Sequence, residues 1–115
     1  MRYCRIADWD LRAAASEPSF HRELSGPGYE TSMVHTVPEG DMKVMEVWVW
    51  VDPGKQTQAT YDVIYDHAIA LAKKYGIADS TGGRLRVMLF DAAPGEFIYD
   101  HIVESRDFSL PGAEG

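Results

Sequence analysis

A chain of 115 residues, 45% hydrophobic and 25% charged, has the size and composition of one folded domain, which excludes a two-domain protein and a disordered segment. Its 18 acidic residues against 11 basic ones give a net charge of -7, which disfavours direct binding to nucleic acid or to an anionic membrane and favours a basic partner. A single cysteine, Cys4, excludes an intramolecular disulfide.

The opening residues Met1 to Asp8 lack the apolar run of a signal peptide. The apolar stretch Val47 to Val51 is far shorter than the roughly 20 residues that cross a bilayer, so a cytoplasmic protein without a membrane span is expected. Residues 2–7 alternate and predict a first strand, after which Asp8 or Asp10 can cap a short helix through Leu11 to Ala15 that ends by Pro18. From Glu17 to Gly28 the mixture of prolines, glycines and serines predicts a loop with at most one further helical turn, around Phe20 to Leu24. Tyr29 to Val37 reads as a strand, and Pro38-Glu39-Gly40-Asp41 as a turn into the strongest strand of the chain, Met42 to Asp52. The two together predict a hairpin.

Thr57 or Thr60 suits the N-cap of a helix running to Tyr75, with Lys73 and Lys74 at the negative end of its dipole and Gly76 at the left-handed stop. Tyr61, Ile64, Tyr65, Ala68, Leu71, Ala72 and Tyr75 recur at spacings of three and four and form one stripe that must face the core. A turn-rich stretch from Ala78 to Gly83 leads to a strand from Leu85 to Phe90, a turn over 91–96 and a strand from Phe97 to Val103, a second hairpin. The domain is expected over residues 1–108, with a loose C-terminal tail at 109–115.

The resulting fold class is α+β: an antiparallel-rich sheet of about five strands packed on one long helix, in the order β, short α, β, β, α, β, β. The first six elements match the split βαββαβ, ferredoxin-like arrangement with an added strand. The alternative is a meander of strands wrapped over the single long helix.

In the strand from 42 to 51 both faces are apolar, Met45, Val47, Val49 and Val51 alternating with Met42, Val44, Trp48 and Trp50. One face meets the long helix. The other carries Trp48 and Trp50, which need cover from the first helix and the 17–28 loop or from a partner. Arg84, Arg86, Met88 and Phe90 share one face of their strand and Leu85, Val87 and Leu89 the other, which sets the basic face beside Glu46 on the tryptophan side.

Chemical motifs are sparse. His21, His35, His67 and His101 include no pair at helical i, i+4 spacing and are joined by no cysteine pair, so neither a metal nor a cofactor is expected. Ile64-Tyr65-Asp66-His67 recurs as Ile98-Tyr99-Asp100-His101, but chain neighbours point apart in a helix or a strand, so neither aspartate can orient the histidine next to it. There is no Gly-x-Ser-x-Gly elbow and no Gly-x-x-x-x-Gly-Lys loop, and Cys4 falls in the first predicted strand as a buried, inert thiol. No catalytic residue is assigned.

Three functional readings remain. The first is a non-enzymatic protein-binding module, an acidic inhibitor or immunity-type protein that neutralises a basic, nuclease-like toxin through Trp48, Trp50, Glu46, Asp62, Asp66 and Arg86. The second is a small ferredoxin-like ligand binder or enzyme with a pocket between helix and sheet, lined by Tyr65, His35, His67 and His101. The third is an accessory protein that dimerises through the tryptophan face.

Overall fold

The computed structural model describes residues 17–40, 42–75, 84–91 and 98–109. Residues 17–23 are helical (α1) and are followed by β1 (Tyr29–Glu39) and β2 (Met42–Val51). A short 3-10 turn (Pro53–Lys55) leads into α2 (Gln58–Lys74), then β3 (Arg84–Phe90), a second 3-10 turn (Ile98–His101) and β4 (Ile102–Ser109). The strands make one mixed sheet in the order β1-β2-β3-β4. β1 and β4 run antiparallel to their neighbours, whereas β2 and β3 are parallel.

Local chemistry accounts for the connections. Glu39 pairs with Met42, which closes the first hairpin tightly, and Gly40 sits at φ 63°, a left-handed conformation that glycine adopts without steric penalty. The parallel pair needs a long crossover, which α2 provides. That helix starts where the Thr57 side chain accepts the Thr60 amide, and it carries Lys73 and Lys74 in its last turn.

The core lies on one face of the sheet. Met45, Val47, Val49 and Val51 of β2 and Leu85, Val87 and Leu89 of β3 pack against Ile64, Tyr65, Ala68, Leu71 and Ala72 of α2, with Tyr61 and Tyr75 at the margin. Phe20 and Leu24, four residues apart, are fully buried in the same core, so α1 lies on the same face as α2. The Thr31 hydroxyl donates to the Leu24 carbonyl, which satisfies a buried polar group and ties the end of α1 to β1.

The α+β class stands, and several finer expectations change. Residues 17–23 are helical rather than mostly loop, because burial of Phe20 and Leu24 outweighs the local preference of Pro18 and Ser19. The ferredoxin-like arrangement is not adopted: a split βαβ unit inserts a strand between the two that its helix joins, and here β2 bonds directly to β3. A meander is excluded by the same parallel pair.

Four strands are present among the described residues, against about five expected. The expected strand at 2–7, the helix at 11–15 and residues 110–115 lie outside the described residues. The last strand begins at Ile102, not Phe97, and continues to Ser109, because Glu104 and Arg106 turn inward to Tyr65 and so mask the alternation.

The stripe on α2 makes a direct prediction. Ile64→Ala should lower the free energy of unfolding by about 2–5 kcal/mol in urea titration. Val63→Ala, at a neighbouring position that is 55% exposed, should change it by less than about 0.5 kcal/mol.

Candidate functional site

Both described helices pack on the inner face, so the candidate site is the outer face of the sheet. Strand alternation sends His35, Glu46, Arg86 and Asp107 to this face, and the register sets each opposite the next, so that every strand contributes one member of a polar row. His35 donates through Nε2 to Glu46 Oε1 at 2.8 Å, and the Trp48 indole donates to the same oxygen at 3.0 Å. Arg86 reaches Glu46 Oε2 at 3.2 Å and clasps Asp107 with two bonds of 2.8 and 3.1 Å. Its Nη2 also donates to Glu39 at 2.9 and 3.1 Å, and Arg84 bonds the same carboxylate at 3.1 Å.

The Glu46 and Arg86 side chains are only 13% and 20% exposed, so this network is largely withdrawn from water. Burial works to raise the Glu46 pKa, but the hydrogen bonds from His35, Trp48 and Arg86 prevail and hold it below the ordinary value. Asp107 is lowered chiefly by its bonds to Arg86, and Arg86 is raised by Asp107 and Glu39. The guanidinium therefore stays charged throughout the working pH range.

Next to the polar row, Trp48, Met88 and Phe90 form a second small core, at 6%, 7% and 2% exposure. Trp48 meets the Phe90 ring at 5.5 Å and the edge of His35 at 5.4 Å. Of the cover expected for the two tryptophans, the 17–28 segment sends Phe20 and Leu24 into the inner core instead, and the helix at 11–15 lies outside the described residues. Trp50 is half-buried and pairs across β1 with the exposed Glu30. Met33, opposite Trp48, is 38% exposed.

The six contact candidates are thus divided. Trp48, Trp50, Glu46 and Arg86 share the outer face, while Asp62 and Asp66 are exposed on α2, on the far side of the sheet. Asp62 accepts from Gln58 at 3.0 Å within that helix.

The four pocket candidates do not converge. Tyr65 donates to Glu104 at 2.6 Å with the Arg106 guanidinium 4.5 Å over its ring, and burial followed by the Glu104 contact pushes the phenol well above its ordinary pKa. His67 instead shares a 3.1 Å hydrogen bond with the Tyr29 hydroxyl on β1. His35 lies on the outer face, and His101 bonds Asp91 at 3.0 Å at the approach to β4. Among the described residues no group of three or more His, Cys, Asp or Glu is arranged to hold a metal ion. No described helix is long and apolar enough to cross a membrane.

Glu39, Asp107 and Glu30 were not singled out from the sequence. Their alternation with apolar or basic neighbours was visible, but only the register sets Asp107 opposite Arg86 and Glu30 opposite Trp50. The chain matches no protein-family model, no curated protein and no solved structure.

The polar row predicts an acid-sensitive fold. Glu46 and Asp107 have folded pKa values below their ordinary values of 4.5 and 3.8, so their contribution to stability is complete above those values. It is lost as pH falls through the folded values. Urea unfolding between pH 6 and 2.5 should show the midpoint declining below about pH 4.5, and the decline should be shallower in Glu46→Gln.

Proposed function

We propose that this protein is a non-enzymatic binding module that recognises a basic protein through the outer sheet face, in the manner of an acidic inhibitor or immunity-type protein directed at a nuclease-like toxin. The observation that carries the reading is the patch formed by half-buried Trp50, exposed Glu30 and partly exposed Met33 on the face opposite both described helices. A net charge of -7 accelerates and strengthens encounter with a basic surface. An accessible aromatic beside a carboxylate is the kind of anchor around which such interfaces concentrate affinity.

Trp48 and Trp50 have different roles in this reading. Trp48 is engaged by Glu46, His35 and Phe90 and acts as a structural support. Trp50 makes the contact. Asp62 and Asp66 add to the long-range field from the other side of the molecule and do not touch the same partner surface. The enzyme reading is weakened because Tyr65, His35, His67 and His101 occupy separate places. Dimerisation through the same face would set two acidic surfaces against each other, at a cost that falls with added salt.

The test is calorimetric titration against the product of the neighbouring gene, which this reading expects to be a basic protein. Binding should weaken steeply with added salt, and Trp50→Ala should raise Kd by about 30-fold, as expected for a contact worth about 2 kcal/mol, with little change in Tm. Trp48→Ala should instead cost about 3–5 kcal/mol of folding stability. A salt-independent affinity that Trp50→Ala leaves intact, or a salt-stabilised homodimer in sedimentation with no such complex, would remove the reading.

A further inference from the structure

We infer that Glu30 and Trp50 form a receptor for a single lysine or arginine side chain of a protein partner. The inference rests on the proposed binding function and specifies the group it recognises. It starts from a contrast among the acidic groups of the outer face. Glu39, Glu46 and Asp107 are all held by Arg86, with Arg84 also on Glu39. Glu30, exposed on the same face, has no hydrogen bond or ion pair among the described residues.

The tryptophans show a parallel contrast. The Trp48 indole donates to Glu46, and its ring contacts Phe90 and His35. Trp50 has neither an acceptor for its indole N–H nor a ring partner among the described residues, and it is half-buried. A carboxylate and an indole that are both unpaired among the described residues thus stand opposite each other on β1 and β2. Directly opposed residues on one face of an antiparallel pair have Cβ atoms about 4.5–5.5 Å apart.

That spacing suits a cation. An ammonium or guanidinium within about 6 Å of an indole ring is attracted by its π face, and here it would also lie within reach of the Glu30 carboxylate. An anion would be repelled by Glu30. An apolar group would cover the ring while stripping water from a charge that receives nothing in exchange. Met33, two positions beyond the Thr31 pairing and 38% exposed, adds apolar surface for the methylene stem of the incoming side chain. On the other side the register partner of Trp50 on β3 is Phe90, which is 2% exposed.

The experiment uses the full chain, labelled with nitrogen-15, titrated at low salt with a penta-arginine peptide, a penta-lysine peptide and a penta-glutamate control. Both basic peptides should shift the Trp50 indole N–H resonance saturably, and the acidic one should not. Glu30→Gln and Trp50→Leu should each raise the Kd read from backbone amides by about fivefold, whereas Asp66→Asn should leave it unchanged. Tm measured for each variant establishes that the fold is intact. Shifts confined to α2 around Asp62 and Asp66, or binding indifferent to Glu30→Gln, would overturn the receptor and leave the basic-partner reading standing. Absence of any shift with either basic peptide would overturn both.

Discussion

The parallel pairing of β2 with β3 is the constraint from which the rest of the architecture follows. Parallel neighbours cannot be joined by a tight turn, so the chain must cross from the end of one strand to the start of the other, and α2 makes that crossing. Both strands bring an apolar row to the helix, Val47 and Val49 beside Val87 and Leu89, and the stripe on α2 closes over it. With the centre set, β1 and β4 can only flank it, each antiparallel to its neighbour. α1 joins the same helical face through Phe20 and Leu24.

The opposite face is organised by charge. A carboxylate and a guanidinium as enclosed as Glu46 and Arg86 lose hydration, and their attraction repays the loss only with further partners. Those partners are present: His35 and Trp48 on Glu46, Glu39 and Asp107 on Arg86. The row therefore depends on every one of these partners to offset the hydration its charges lose. A slip of one residue in any strand would carry its member to the apolar inner face and leave a charge unpaired there, so the row pins the register of all four strands together.

This arrangement also separates two tryptophans that look equivalent in the chain. Two residues apart on one strand, they point the same way, yet Trp48 falls beside the polar row and is drawn into it, while Trp50 lies two register positions farther along, opposite Glu30. Trp48 is thus buried, and Trp50 half-buried.

Much of the frame was legible in the chain. The period of α2, its Thr57 cap, the Gly40 turn and the two-sided apolar pattern of β2 are local signals, because capping, turn geometry and side-chain periodicity depend on residues a few positions apart. The alternation of β3 even implied that Arg86 would lie beside Glu46, as it does. Less legible were α1, whose local composition favours a loop, and β4, where inward-facing Glu104 and Arg106 hide the strand pattern until Tyr65 is seen to receive them. The sequence by itself determined the α+β class, the long helix, the hairpin of β1 and β2 and the acidic charge. Only the tertiary structure decided that β2 and β3 are direct neighbours, that Asp62 and Asp66 lie across the sheet from the tryptophans, and that Trp48 and Trp50 part company. Register and strand order depend on residues far apart in the chain, and no local pattern carries that information.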